Sequence, residues 1–118
     1  MGQSKPFRRT AIVVEDDDIQ REMIALLLEE SAFSVIQCED AETASLALKT
    51  RHPSLLITDV SLTGKMNGIE LAHFARMNDP RLRVVVISGL HPAAVLPDGA
   101  TFLSKPVHPV ALIREATH

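Results

Sequence analysis

Ala11-Ile12-Val13-Val14-Glu15-Asp16-Asp17-Asp18 and Leu55-Leu56-Ile57-Thr58-Asp59 follow one pattern, an apolar run that ends in acid. Neither run alternates apolar with polar residues, and neither does Val84-Val85-Val86-Ile87. Strands buried on both faces read this way, and they belong to parallel sheets covered by helices on both sides. If the first two runs are neighbouring parallel strands, their C-terminal ends bring at least three carboxylates to one spot. Two like charges about 4 Å apart at an effective dielectric of about 20 repel by roughly 4 kcal/mol. A hard divalent cation relieves that repulsion, and an all-oxygen site selects magnesium or calcium over softer metals.

Outward from these runs, Ser34-Val35-Ile36-Gln37 and Thr101-Phe102-Leu103 read as weaker strands nearer the sheet edges, giving five in all. Helical patterns lie between them. A helix from about Asp18 to Ser31 has an Asp at or near its N-cap and Ile19, Met23, Leu26 and Leu27 as its expected apolar face. Asp40 can cap a second helix, Ala41 to about Thr50, with Ala44, Ala47 and Leu48 inward and Pro53 helping to close it. The third runs from about Gly68 through Ile69, Leu71, Ala72 and Ala75 to the proline stop at Asn78-Asp79-Pro80. A last helix starts near Pro109 and uses Val110, Leu112, Ile113 and Ala116. Between Leu90 and Ala100, Pro92 and Pro97 leave room for a loop or a single helical turn. Alternating strands and helices imply right-handed crossovers and a doubly wound α/β sheet, for which 2-1-3-4-5 is the expected order. Its switch point lies between the first and third strands, where Glu15, Asp16 and Asp59 meet.

The 118 residues, 46% hydrophobic and 23% charged, suit one domain. Residues 1–9 are expected to form a flexible N-terminal arm and residues 10–118 the domain, with no room for a separate output module. A net charge of −3, with basic residues clustered only at Lys5, Arg8 and Arg9, argues against nucleic-acid binding. So does the absence of Trp and Tyr as stacking platforms. Cys38 is the only cysteine and reads as a small apolar residue at a strand end. His52, His73, His91, His108 and His118 are scattered and read as surface residues. With no apolar signal segment or bilayer-length run, a cytosolic protein without a membrane partner is expected.

Further residues sit at strand ends on the same sheet edge: Ser88-Gly89 after the fourth strand, Lys105-Pro106 after the fifth, Thr63-Gly64 after the third, and Gly68 opening the third helix. With the acidic pair and Asp59, these resemble the receiver domain of bacterial two-component response regulators, from Thr10 to about Ala116. The resemblance implies a flavodoxin-like three-layer sandwich, in which the proline-broken segment from Leu90 to Ala100 leaves the fourth helix shortened or missing. It implies that Asp59 is the phosphoacceptor, taking a phosphoryl group from a phosphohistidine on a sensor histidine kinase or a histidine phosphotransfer protein. Asp16 matches the direct Mg2+ ligand, with Asp59 and the Ser61 backbone carbonyl assisting, and Glu15 matches an acidic partner acting through metal-bound water. Lys105 matches the lysine that pairs with a phosphoryl oxygen. Ser88 matches the hydroxyl that turns toward the phosphoryl group, and Phe102 the aromatic switch. The Lys105-Pro106 bond is then a cis-peptide candidate.

The chain departs from the family at the loop from Val60 to Gly68, which is one residue longer than usual and has Thr63 where proline is common. The proline-broken segment after the fourth strand is another departure. Nothing follows the last helix, and Met1 with the short arm suggests a stand-alone chain or an N-terminal fragment that signals through a downstream protein. Two other readings remain. A Mg2+-dependent aspartyl phosphatase also places Asp at a strand end, but such enzymes usually need a second acid two residues on, where this chain has Ser61. A receiver-like scaffold that is never phosphorylated is the second.

Overall fold

The computed structural model describes residues 8–90 and 94–117. Its strands are β1 (Arg9–Val14), β2 (Phe33–Cys38), β3 (Leu55–Asp59), β4 (Arg83–Ser88) and β5 (Thr101–Ser104), and its helices are α1 (Asp18–Glu30), α2 (Ala41–Arg51), α3 (Gly68–Asn78) and α4 (Pro109–Thr117). The strands form one parallel sheet in the order β2-β1-β3-β4-β5. The three unbroken apolar runs supply the interior strands, and the weaker β2 and β5 lie at the edges.

Successive side chains of a strand point to opposite faces, so each apolar run feeds two cores. Ala11, Val13, Leu55, Ile57, Val85 and Ile87 pack with Ile24 and Leu28 of α1 and Leu112 and Ala116 of α4. Ile12, Val14, Leu56, Val84 and Val86 pack on the other face with Ala44 and Leu48 of α2 and Leu71, Ala72 and Ala75 of α3. The result is the expected three-layer sandwich. Helix starts are fixed by side-chain caps: Asp17 Oδ1 accepts from Gln20 N at 2.9 Å, and Asp40 Oδ1 from Thr43 N at 2.8 Å. Asn67 and Glu70 form a reciprocal capping box at α3.

The face of α1 differs from the sequence expectation. Arg21, Ile24, Ala25 and Leu28 are buried and Leu27 is half-buried, whereas Ile19, Met23 and Leu26 are exposed. At 3.6 residues per turn the exposed trio lies on the opposite side of the helix from the buried set. Hydrophobicity marks two stripes on this helix, and tertiary bonds to Arg21 choose between them. Val110 on α4 is likewise exposed, while Leu112 and Ala116 are buried and Ile113 is half-buried.

β1 begins at Arg9, which pairs with Phe33, so the sheet takes in the last residue of the expected arm. Residues 1–7, His91, Pro92 and His118 lie outside the described residues. Cys38 ends β2 and is buried, and His52, His73 and His108 are exposed. No helix is assigned between β4 and β5 among the described residues. Pro97 to Ala100 form a tight turn instead, with Ala100 N–H donating to Pro97 O at 3.1 Å and Gly99 supplying a φ of +80°. No helix among the described residues is long and apolar enough to cross a membrane.

The two sides of these amphipathic helices should differ sharply in mutational cost. Leu112→Ala, at a fully buried position, is expected to lose about 2–5 kcal/mol of unfolding free energy. Met23→Ala on the exposed stripe should stay within about 0.5 kcal/mol of wild type. Urea midpoints of the two variants measure the contrast.

Candidate functional site

Register brings the acids together. Val14 pairs with Thr58, so the first residue beyond β1, Glu15, stands beside the last residue of β3, Asp59. The Glu15 amide donates to Cys38 O at 3.1 Å, carrying the β1–β2 ladder one step past the strand. Carboxylate oxygens of Glu15, Asp16 and Asp59 then lie within 4.8 Å of one another, with Glu15 and Asp59 buried and Asp16 exposed.

Each group has a distinct set of partners. Asp59 Oδ1 accepts from Ser61 N at 3.1 Å, and Asp59 Oδ2 lies 2.5 Å from Lys105 Nζ. The same ammonium donates to Glu15 Oε1 at 3.0 Å, and Glu15 Oε2 accepts from Asp17 N at 3.1 Å. Lys105 is positioned because its amide donates to Ser88 O at 2.9 Å, extending the β4–β5 ladder; the Lys105–Pro106 peptide is cis. Ser88 ends β4 and is buried, its Oγ accepting from Leu90 N at 3.2 Å. Gly89 is open: a Cβ there would meet nothing within 4 Å. Phe102 is half-buried on the edge strand β5, in register with Val86 and two strands away from Asp59.

Residues absent from the sequence-based site also build it. Arg21 Nη1 donates to Glu15 O at 2.8 Å, Nη2 to Asp18 Oδ1 at 2.7 Å, and Nε to Gln37 Oε1 at 3.2 Å. It therefore ties the acidic loop to α1 and β2. Thr58 Oγ1 donates to Asp59 O at 2.9 Å, and Gly68 lets α3 approach from the other side, since a Cβ there would lie 1.7 Å from Asp59 O. Patterning gives no signal for Arg21, because an arginine in a helix ordinarily reads as solvated.

Three carboxylates face one ammonium, and the pKa values of Glu15 and Lys105 respond. Burial pushes the Glu15 carboxyl up to about 7; the neighbouring Asp59 adds to the rise, and the Asp17 amide and Lys105 oppose it. For Lys105 burial acts downward, but hydrogen bonds to Asp59 and Glu15 outweigh it and raise the ammonium above its ordinary value. The Cys38 thiol, pushed up to about 11 chiefly by burial, is poorly suited to nucleophilic chemistry. A clustered, oxygen-only donor set that is undercompensated by charge fits a hard divalent cation.

The family model of the response regulator receiver domain matches residues 11–117. The chain belongs to that family. The receiver is 34% identical over 109 residues to the response regulator receiver protein CpdR of Brucella abortus (strain 2308), covering 88% of this chain and 90% of that protein. It resembles the crystal structure of the receiver domain from the hybrid histidine kinase CckA, with a TM-score of 0.79, 30% identity, and coverage of 91% and 94% of the two chains. A response regulator receiver protein from Sinorhizobium medicae WSM419 superposes with a TM-score of 0.83 at 26% identity, covering 92% of this chain and 90% of the other. The nitrogen assimilation regulatory protein NtrX of Azorhizobium caulinodans is 28% identical over 108 residues, but this receiver spans only 24% of its length. Receiver domains are phosphoacceptors of two-component signalling that work with histidine kinases or phosphotransfer proteins, and they are in general not enzymes.

Glu15 gives the metal-free receiver a defined pH response. Its carboxyl titrates near 7 when folded and near 4.5 when unfolded. Between those values the folded state holds a proton that the unfolded state has lost, so this group's contribution to stability falls as pH rises. Melting temperatures in a chelator from pH 4.5 to 8 should show a decline through pH 7 that is flattened in Glu15→Gln.

Proposed function

We propose that Asp59 accepts a phosphoryl group from a phosphohistidine on a partner kinase or phosphotransfer protein. One Asp59 carboxylate oxygen attacks phosphorus, the N–P bond breaks, and its electron pair returns to the donor imidazole, leaving an acyl phosphate on Asp59. The observation that carries this reading is the pair of contacts on Asp59. Lys105 Nζ holds Oδ2 and the Ser61 amide holds Oδ1, at the sheet edge where Glu15 and Asp16 converge.

Phosphoryl transfer depends mainly on positioning and on neutralising charge on the transferred oxygens. Lys105 supplies one positive charge. Mg2+ held by Asp16, Asp59 and the Ser61 carbonyl, with Glu15 acting through water, would supply the rest of the charge stabilisation. Ser88, one strand over from Asp59 and free to exchange its bond from Leu90 N, is the hydroxyl that turns toward the new phosphoryl group. Phe102 then follows as the aromatic part of the switch. The open face at Gly89 admits the donor.

Partner contact has a natural place beside the site. A cleft of about 170 Å³ lined by Gln20, Met23, Ile24, Lys105, Pro106 and Val107 joins the exposed stripe of α1 to the lysine. An apolar surface next to the acceptor suits a donor that arrives on a protein in the cytosol. The phosphatase alternative lacks its second acid, since position 61 is Ser. The receiver's own chemistry is accordingly phosphorylation from a donor and slow loss of that phosphate, without turnover of phosphomonoesters.

Intact mass after incubation with Mg2+ and a small acyl-phosphate donor tests the assignment. Wild type should gain one phosphoryl mass and Asp59→Ala none; equal labelling of both would sink it. Millimolar Mg2+ should also raise the melting temperature, because a ligand that binds only the folded state stabilises it, by about 2.7 kcal/mol at a hundredfold excess over Kd. Asp16→Ala should lose most of that rise.

A further inference from the structure

The loop from β3 to α3, residues 60–67, presents Ser61 and contains no proline. A proline fixes its own φ and narrows the conformations of the residue before it, so this loop must be held by other means. Glu42, in the first turn of α2, reaches across to it. Glu42 Oε1 accepts the amide of Met66 at 3.1 Å. Gly64, at a φ of +106°, lies against the same carboxylate, and a Cβ there would be 2.6 Å from Glu42 Oε2. Beneath, Leu62 and Met66 pack as partly buried residues against the core shared by α2 and α3.

The support behind Glu42 is rigid. Asp40 caps α2, and Ala41, Ala44 and Leu48 are buried against the sheet. A carboxylate in that first turn also suits the helix dipole, and a charged acceptor makes a stronger bond to an amide than a neutral one. Glu42 is not in the metal-capable cluster, which consists of Glu15, Asp16 and Asp59 among the described residues.

We infer that Glu42 is a positioning residue for the metal loop: it fixes the conformation in which the loop offers the Ser61 carbonyl, and so sets Mg2+ affinity without ligating the ion. This rests on the metal site proposed above. The bond is solvent-accessible, so its loss has a moderate effect, about threefold to tenfold in Kd.

The test compares wild type, Glu42→Ala, Glu42→Gln and Asp16→Ala in two measurements: amide exchange of the metal-free protein, and Mg2+ titration followed by melting temperature. In Glu42→Ala the Met66 amide should exchange faster, and the Mg2+ concentration at half-response should rise about threefold to tenfold. Glu42→Gln, which keeps an acceptor oxygen, should retain most of both properties. If Glu42→Ala titrates like wild type while Asp16→Ala loses the response, the positioning role is overturned and the metal site stands. Equal losses in Glu42→Ala and Glu42→Gln overturn the acceptor role, and a wild type indifferent to Mg2+ overturns both the role and the site.

Discussion

Two nearly buried carboxylates, Glu15 and Asp59, share the single ammonium of Lys105, and the architecture of the sheet edge serves that contact. Burying a carboxylate is costly unless it is paired and hydrogen-bonded. Here each has a backbone amide as well as the lysine: Asp17 for Glu15 and Ser61 for Asp59. The compensation is incomplete, as the raised Glu15 carboxyl records. A site left short of positive charge is suited to receive a cation and then the oxygens of a phosphoryl group, each neutralising the other. The same shortage makes the edge a poor contributor to stability and a good place for a ligand to act.

The contact depends on residues far apart in the chain. Lys105 reaches Asp59 only because β5 docks on β4 in a register that lets its amide continue the ladder to Ser88. Asp59 is reachable only because Gly68 leaves the space that α3 needs beside the end of β3. β5 is the shortest strand and lies at an edge, half-buried through Leu103. Asp59 on a central strand and Lys105, just past a marginal one, tie the acidic cluster to the docking of that edge, where Phe102 also sits.

Strand positions were legible because an unbroken apolar run has few other readings, and the acidic cluster because two of the three runs end in acid. Helix boundaries followed from Asp40, Gly68 and Pro80, whose local chemistry does not depend on the fold. The buried side of α1 was not legible, since Ile19, Met23 and Leu26 make as good a stripe as Ile24, Ala25 and Leu28. The choice is made by three hydrogen bonds of Arg21 to Glu15, Asp18 and Gln37, two of them to residues outside the helix. Glu42 escaped for the same reason, its partner Met66 lying 24 positions along the chain. Pro92 and Pro97 left room for no more than a turn in the sequence after β4, and no helix lies there among the described residues. No pattern, however, announced that His73 and Arg76 of α3 would bond the carbonyls of Val95 and Asp98 and tie that segment down.

Arg21 does more than orient a helix. By occupying the inner side of α1 near its start, it turns the Ile19, Met23 and Leu26 stripe outward, next to the cleft that ends at Lys105. Had the apolar stripe been buried instead, Arg21 would lose its bond to the Glu15 carbonyl and the acidic loop its brace. One side chain thus links the geometry of the acids to the exposure of the adjacent apolar surface. A substitution that releases Arg21 removes the brace on the acidic loop and leaves the buried side of α1 to Ile24, Ala25 and Leu28 alone.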